Sequence, residues 1–344
     1  MSRFATPLFV LLMTGVTVVR AAAPLPLQRI ARLALPGPPA RFDYQSLDVP
    51  AGRLYLNEMG TGQLLVFDIR KRNLLARLRG FSDATGVLAV PMLHRVYVSS
   101  PGDLWDKAVG GGRVIVIDSR SLKRVGAVDV GRFPDGLSFV PKLGRVFVSD
   151  EVGGELSVFN AVTLKPIGSV SLGGEAGMNA YDPIGDRVWV NDQSDRRLLA
   201  LNPQSLAITT RIELPLSCRH NHGLLLDAAD RLAFIGCDGN ARLLLFDLAL
   251  RKILGVYPVG KDPDVMAYDA RRRLLYVASE SGVLSLFRLD DTRSLHELGS
   301  AWLGDNAHSV SVDPASGESY FPIRDDGGHP ALWIERPRSS SPSR

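Results

Sequence analysis

The feature that most constrains this chain is a strand motif that returns about every 42 residues. An arginine followed by mostly apolar residues opens six copies, and a seventh copy is degenerate. The copies stand at residues 53–57, 95–99, 145–149, 187–191, 231–235, 273–277 and 318–322. Repeats of roughly 40 to 50 residues built from short strands are typical of a β-propeller, in which one repeat forms one four-stranded blade. The sequence therefore predicts an all-β ring of blades.

The third repeat displays the strands of one blade most clearly. Residues 136–140 and 145–149 are short segments rich in apolar residues on either side of a short turn. Residues 155–159 follow a Gly-Gly turn, and residues 165–172 end the repeat. Alternation bounded by Gly, Pro, Asn and Asp favours half-buried antiparallel strands. Each blade is therefore expected to hold four antiparallel strands.

The two ends of the repeat array complement each other. Residues 27–35 match the closing strand of the repeats but precede the first full blade, whereas the last repeat stops near residue 335. An N-terminal strand that serves as the outer strand of the last blade closes the ring and removes an open sheet edge. The sequence thus predicts six complete blades and one composite blade, a seven-bladed propeller over residues 24–336.

The segments outside the repeats have their own composition. Residues 1–23 combine Arg3, an apolar run and three alanines, which is typical of a secretory signal cleaved after Ala23. The alternative is a retained membrane anchor, because Arg20 lies in the cleavage region. Residues 337–344, rich in Ser, Pro and Arg, are expected to be a disordered tail. A mature chain without a transmembrane segment, periplasmic or secreted, follows from the cleaved form.

The charge pattern argues against a nucleic-acid partner. The formal net charge is only +4, and the basic residues are scattered along the repeats rather than clustered. No platform of interleaved aromatic residues accompanies them. With 45% hydrophobic residues, the chain can bury the core of one large domain.

The two cysteines stand on opposite arms of one hairpin. Cys218 and Cys237 flank a turn near residues 228–231, so antiparallel pairing brings them close together. An exported protein meets an oxidising compartment, which predicts a disulfide. Metal ligation or reactive thiols are the alternatives.

Polar residues gather where the innermost strand of each blade begins. That edge of a propeller surrounds the mouth of the central channel, where ligands bind. The candidate ligand-binding residues are Asp43, Asp135, Asn179, His222, Asp264 and His308. A concave mouth with many carboxylates favours a cation or a hydroxyl-rich ligand.

A His/Asp cluster in blades five to seven suggests a second interpretation. Its members are His220, His222, Asp264 and His308. Imidazole and carboxylate groups suit zinc or another divalent metal, and His222 or His308 could activate water for hydrolysis. The alternative is structural, because such residues also hydrogen-bond backbone groups between blades. No nucleophile elbow, zinc-protease motif or phosphate loop occurs in the sequence.

The second repeat carries an insertion at about residues 101–112. It includes Trp105, Asp106 and Lys107 and three consecutive glycines. A glycine-hinged loop of this kind is either a lid over the mouth or a tolerated surface insertion.

The repeated strands resemble those of the YVTN-repeat β-propellers. The resemblance lies in Val-Tyr-Val-Ser and Val-Trp-Val-Asn strands, followed by Leu-x-Val-Phe-Asp strands such as residues 64–68 and 243–247, and it spans residues 27–336. It implies an exported bacterial seven-bladed propeller, in a wider class that includes lactonases and quinoprotein dehydrogenase-like domains. No lactonase motif matches here, and the tryptophan ladder of the quinoproteins is missing, so the resemblance implies no activity.

The sequence favours an exported propeller that binds or scaffolds a small molecule, ion or protein at its channel mouth, more like a binding module than an enzyme. The rival interpretation is a metal-assisted hydrolase or lactonase that uses the His/Asp cluster. A third is a structural protein whose blade edges contact partners. No cofactor is required by the sequence, and a divalent metal is the one candidate.

Overall fold

The computed structural model describes residues 25–103 and 110–338. Within them, the strands form seven separate four-stranded antiparallel sheets, arranged as the blades of a propeller. The predicted architecture is confirmed. The expected signal segment, the central part of the blade-two insertion with Trp105, Asp106 and Lys107, and residues 339–344 lie outside the described residues.

Each blade is given from its innermost to its outermost strand. Blade one comprises β2 (Gln45–Asp48), β3 (Arg53–Glu58), β4 (Gln63–Asp68) and β5 (Asn73–Arg79); blade two comprises β6 (Val87–Val90), β7 (Arg95–Ser100), β8 (Gly112–Asp118) and β9 (Arg124–Val130). Blade three comprises β10 (Pro134–Val140), β11 (Arg145–Asp150), β12 (Glu155–Asn160) and β13 (Pro166–Ser171); blade four comprises β14 (Ala176–Asp182), β15 (Arg187–Asp192), β16 (Arg197–Leu201) and β17 (Ile208–Glu213). Blade five comprises β18 (Asn221–Asp227), β19 (Leu232–Cys237), β20 (Arg242–Asp247) and β21 (Lys252–Pro258); blade six comprises β22 (Pro263–Asp269), β23 (Leu274–Ser279), β24 (Val283–Leu289) and β25 (Leu295–Trp302). Blade seven comprises β26 (Ser311–Asp313), β27 (Glu318–Ile323), β28 (Ala331–Pro337) and β1 (Leu27–Ala34).

Short 3-10 turns of three residues connect some of these strands. They are Met59–Thr61, Pro91–Leu93, Pro141–Leu143 and Asp238–Asn240. None of the helical segments in residues 25–103 and 110–338 has the length and apolar character needed to cross a membrane.

The N-terminal strand closes the ring as predicted. β1 pairs antiparallel with β28, with Leu27 opposite Pro337 and Ala34 opposite Ala331. The pairing continues past β28, because the backbone N–H of Arg338 donates to the carbonyl of Pro26 at 2.9 Å. β28 therefore ends one residue beyond residue 336, the propeller boundary expected from the sequence. Blade seven thus combines β1, from the start of the repeat array, with three strands from its end.

The middle strands of each blade form the core between blades. In β11, Val146, Phe147 and Val148 are fully buried, because both sheet faces pack against neighbouring blades. Aromatic rings bridge adjacent blades, as for Tyr97 of blade two and Phe159 of blade three, whose centroids lie 6.0 Å apart. Burial on both faces explains why these strands are apolar at nearly every position, while the outermost strands alternate.

The arginine of the repeated motif links one blade to the next. Arg145 Nη1 donates to the carbonyls of Pro203 and Gln204 in blade four, at 2.8 and 2.9 Å. Arg95 makes the equivalent bond to the carbonyl of Ala161 at 2.9 Å. The recurrence of arginine at this position therefore has a structural cause in these blades.

The predicted disulfide is present. Cys218 and Cys237 are bonded, with Cα atoms 5.2 Å apart. The bond ties the segment that enters β18 to the end of β19, next to the channel mouth.

Candidate functional site

The innermost strands of blades three to six begin with a β-bulge, and the bulges of blades three, five and six carry residues of the site. In blade three, Pro134 pairs with Asp150 but Leu137 pairs with Val148, so two residues of β10 oppose one residue of β11. The same shift occurs at the start of β18 and of β22. A bulge bends the strand and redirects its side chains. The first residues of these three bulges are Asp135, His222 and Asp264.

These bulge residues line a pocket at one end of the central channel. Its volume is about 260 Å³. Seven carboxylate side chains line it: Asp43, Asp135, Glu151, Asp238, Asp262, Asp264 and Glu280. Basic groups are few, namely Arg41 and His222, and the apolar part of the wall comes from Tyr44, Met59, Phe133 and Pro263. We call this the mouth pocket. Its excess of acidic groups favours positively charged ligands.

Arg41 does not neutralise the mouth pocket as a whole. Its Nη2 atom lies 2.6 Å from Oε1 of Glu280, and its Nη1 atom bonds the other oxygen at 3.3 Å. Both side chains are partly exposed at the rim. The guanidinium thus serves one carboxylate in a two-point contact.

A hydrogen-bonded group of three side chains forms the floor of the pocket. The Tyr44 hydroxyl donates to Oδ1 of Asp264 at 2.8 Å and lies 3.2 Å from Nε2 of His222. The same Nε2 atom is 3.4 Å from Asp264 and 3.6 Å from Asp135. Blades one, three, five and six therefore meet at this point.

The other nitrogen of His222 continues the network towards the rim. Nδ1 lies 2.8 Å from Oε1 of Gln193, whose amide nitrogen donates to Glu151 at 2.9 Å. Since Gln193 is fully buried, this contact fixes the orientation of the imidazole. The order of donors runs from His222 through Gln193 to Glu151.

His308 reaches the floor from blade seven. Its Nδ1 atom lies 2.9 Å from the carbonyl oxygen of Asn306. Its Nε2 atom has no hydrogen-bond partner in the part of the chain that the structure describes, and it lies 3.9 Å from Oδ1 of Asp43 and 3.7 Å from Oδ2 of Asp264. The side chain is 0% exposed. One ligand atom from each of Asp43, Asp264 and His308 lies within 4.8 Å of the other two.

The floor groups have strongly shifted pKa values. Burial opposes ionisation of Asp264, but the hydrogen bond and charge of His222, together with the charge of His308, outweigh it and lower the pKa of Asp264 to about 2. Burial also works against the His222 imidazolium, yet Asp264, Asp135 and Glu151 raise its pKa well above the usual value. These carboxylates favour the doubly protonated ring.

The pKa values of two further groups at the floor, His308 and Asp135, are raised. Burial lowers the pKa of His308, but Asp43, Asp264 and Glu280 outweigh it and raise it to about 9. Burial and the neighbouring carboxylates hold the pKa of Asp135 well above its ordinary value, against the opposing effect of His222. Perturbed groups in a cleft are a mark of functional sites.

His220 does not join the floor. Its Nδ1 atom lies 2.9 Å from the Asp238 carboxylate and its Nε2 atom 3.2 Å from Glu175, and its side chain is 41% exposed. Residues two positions apart point to the same face of a sheet only where the strand is regular. His220 precedes β18 with a positive φ of 52°, and the bulge at His222 interrupts the alternation. The four residues of the predicted metal cluster are therefore not brought together; Asp43 stands with Asp264 and His308 instead.

Asn179 has a structural environment. Its amide nitrogen donates to the carbonyl of Gly136 and to Ser149 Oγ, both at 2.9 Å, and the side chain is buried below the mouth. Asn191, at the end of a second strand, likewise bonds the carbonyls of His222 and Gly223 at 3.1 and 2.9 Å. Asn179 thus holds the bulge of the preceding blade in place, and Asn191 holds the bulge of the next blade.

Gly223 follows His222 because the next blade approaches closely. A Cβ atom at this position would lie 2.5 Å from the carbonyl oxygen of Asp264. A side chain there would separate blades five and six, and would move His222 of the floor away from Asp264.

A wider channel lies beneath the mouth pocket. Its volume is about 660 Å³, and apolar residues of the innermost strands make much of its wall. Tyr44 and Asp264 line both spaces, so the floor network separates the acidic pocket from the channel.

The sequence did not single out Arg41 or Gln193. Arg41 precedes the first strand of blade one, and Gln193 immediately follows β15. Both positions border strand ends on the mouth face, which is the signal that could have found them. Neither residue is part of the motif that recurs in each repeat.

Comparison with solved structures shows the fold. Kuenenia stuttgartiensis hydrazine synthase superposes with a TM-score of 0.72 at 12% identity, over 87% of this chain and 96% of that chain. The RRP9 WD40 repeats give 0.73 at 9% identity, over 90% and 100%. The U3-55K structure gives 0.70 at 9% identity, over 88% and 98%.

Sequence comparison adds no family. No protein-family model matches the chain, and no curated protein matches it in sequence. Identities near 10% show a shared architecture and nothing about activity. The resemblance to the YVTN-repeat propellers stays a prediction, and the chain is identified by its architecture, a seven-bladed β-propeller.

Proposed function

We propose that this protein is an exported binding module that holds a small organic cation in the mouth pocket. The observation that carries the proposal is the charge of the pocket, in which, among the described residues, seven carboxyl side chains outnumber two basic groups, His222 and the Arg41 guanidinium that is already paired with Glu280. A buried carboxylate without an opposite charge has a free-energy cost, because it has lost its contact with water. A cationic ligand would reduce that cost.

The shape of the pocket narrows the ligand class. A volume of about 260 Å³ suits a small molecule rather than a peptide. Tyr44, Met59 and Phe133 supply an apolar wall beside the acidic groups. An alkylamine matches both surfaces, because its ammonium group pairs with carboxylates while its methylene groups cover the apolar wall.

Export is part of the proposal. The expected signal at residues 1–23 and the bond between Cys218 and Cys237 both support a periplasmic or secreted protein. A small-molecule partner is preferred over a nucleic acid because the pocket is acidic.

Metal-assisted hydrolysis through the predicted His/Asp cluster is less well supported. His220 faces Asp238 and Glu175, outside the floor. The carboxylates around His222 favour the ring with both nitrogens protonated, which removes the lone pair that a general base needs. The geometry favours binding over turnover.

Three ligands of equal length and different charge test the proposal. Putrescine, 1,4-butanediol and succinate carry two positive charges, none and two negative charges at neutral pH. Isothermal titration should detect saturable binding of putrescine and at least about tenfold weaker binding of the diol, a difference of about 1.4 kcal/mol. Equal affinity for all three would contradict the proposal.

A pair of variants locates the binding. Glu151→Gln keeps an acceptor for the Gln193 amide but removes one pocket charge. Asp129→Asn removes a charge on the outer strand β9, where the side chain is 89% exposed. Putrescine affinity should fall for the first variant and stay unchanged for the second. Binding that is insensitive to Glu151 and lost with Asp129 would move the site to the blade edges, as a structural surface protein requires.

A further inference from the structure

We propose that Asp43, Asp264 and His308 form a binding site for one divalent transition-metal ion of the zinc class at the floor of the mouth pocket. The site differs from the one expected from the sequence, since His220 and His222 are not ligands and Asp43 is. The inference rests on the mouth pocket being the functional site, as proposed above, but does not depend on an amine ligand.

The distances between the three side chains suit a shared ion. Nε2 of His308 lies 3.9 Å from Oδ1 of Asp43 and 3.7 Å from Oδ2 of Asp264. These separations are too long for hydrogen bonds, which end near about 3.2 Å. Two ligand atoms that each lie about 2.0–2.2 Å from one tetrahedral zinc ion are roughly 3.3–3.6 Å apart. Both observed distances lie slightly above that interval, so small movements of the side chains would bring them onto one ion.

His308 is held by one ring nitrogen, and the other, which a metal ion would bind by displacing its proton, faces two carboxylates. Nδ1 lies 2.9 Å from the carbonyl oxygen of Asn306, which orients it as an N–H donor. Nε2 is fully buried and has no hydrogen-bond partner among residues 25–103 and 110–338, although it faces two carboxylates. A backbone carbonyl on one ring nitrogen and an ion on the other is the usual arrangement of a metal-binding histidine. A bound ion would give this buried nitrogen the partner that it lacks among the described residues.

Asp264 is arranged in the same manner. Its Oδ1 atom accepts the Tyr44 hydroxyl at 2.8 Å, while its Oδ2 atom faces His308. The Tyr44 contact fixes the carboxylate from outside and leaves the second oxygen for the ion. Asp43 completes the set from blade one.

The donor set selects the class of ion. One imidazole nitrogen and two carboxylate oxygens suit zinc and other first-row divalent ions, whereas calcium prefers six or more oxygen ligands. Asp43 and Asp264 also line the mouth pocket, so an ion held by them would lie beside it. A zinc ion with three protein ligands can take an external group as its fourth ligand.

Zinc titration of untagged, chelator-treated protein tests the proposal. We expect one zinc ion per chain by elemental analysis and competition with a chromophoric chelator. His308→Gln and Asp43→Asn should each weaken zinc binding by about 100-fold or more. His220→Gln is the matched control, because it removes a histidine of the same rim that faces elsewhere, and it should keep the wild-type affinity. Absence of saturable zinc binding, or equal loss in the His220 and His308 variants, would overturn the proposal.

An anomalous-scattering map of wild-type crystals soaked in zinc needs no variant to fold. We expect a peak between Asp43, Asp264 and His308, and a zinc peak only at other residues would overturn the proposal. Putrescine titrations on the same protein separate the two proposals. Putrescine binding without zinc binding overturns the metal site alone, and zinc binding without putrescine binding overturns the amine ligand alone.

Discussion

The Tyr44 hydroxyl of blade one donates a 2.8 Å hydrogen bond to Asp264 of blade six, across the top of the central channel. Both residues lie at the start of an innermost strand, and both line the acidic pocket above and the apolar channel below. The contact therefore links the arrangement of the blades to the geometry of the mouth pocket. It holds together blades that are not adjacent in the ring.

Removal of the Tyr44 hydroxyl should cost more stability than removal of an ordinary buried hydroxyl. Hydrogen bonds to charged groups contribute about 1.5–3 kcal/mol, and neutral ones about 1 kcal/mol. The matched control is Tyr97→Phe, which loses a 2.7 Å bond to the neutral carbonyl of Ala161. Urea unfolding should show a larger loss for Tyr44→Phe than for Tyr97→Phe. The reverse order would contradict a charge-assisted bond at the floor.

The disulfide should make a measurable contribution to stability. Cys218 and Cys237 are separated by 19 residues, and closing a loop of this length stabilises a protein by about 3 kcal/mol. The double variant Cys218→Ala, Cys237→Ala is expected to lower the free energy of unfolding by about that amount in urea titrations. Reducing agent should destabilise the wild type and leave the variant unchanged. A loss below about 1 kcal/mol would show that the bond constrains little.

Asp150 should make stability depend on pH. Burial raises its pKa from 3.8 to about 7, with help from the charge of Glu155. Between these pH values the folded protein holds a proton that the unfolded chain has lost. This contribution to the free energy of unfolding therefore falls as pH rises from about 4 to 7 and then levels off.

Asp150→Asn isolates that contribution, because the amide does not titrate. Melting temperatures should favour the variant over the wild type more at pH 8 than at pH 5. A difference between the two proteins that is the same at both pH values would contradict the raised pKa.

The fold could be predicted because the repeated residues are the ones that the blades need for their packing. Buried second strands need apolar residues, and arginine at the start of the motif bonds the next blade, as Arg145 does. The complementary ends at residues 27–35 and 335 indicated how the ring closes. The site was predicted only in outline. Asp135, His222 and Asp264 were found from their positions at strand starts, but their approach to one another depends on bulges.

The errors have the same physical origin. His220 and His222 fit a regular strand, whereas the bulge and the positive φ of His220 turn the first ring away. A bulge has no simple sequence signal apart from a glycine such as Gly223, whose absent side chain also permits close blade packing. Gln193 lies outside the repeated residues, so no periodic pattern marks it.

A crystal structure of the protein with putrescine tests the central claim most directly. The account predicts electron density for the diamine inside the mouth pocket, with an ammonium group within hydrogen-bond distance of at least one of Glu151, Asp135 and Glu280. Density only on the outer strands, or in the channel below Tyr44 with the mouth pocket filled by solvent alone, would contradict it.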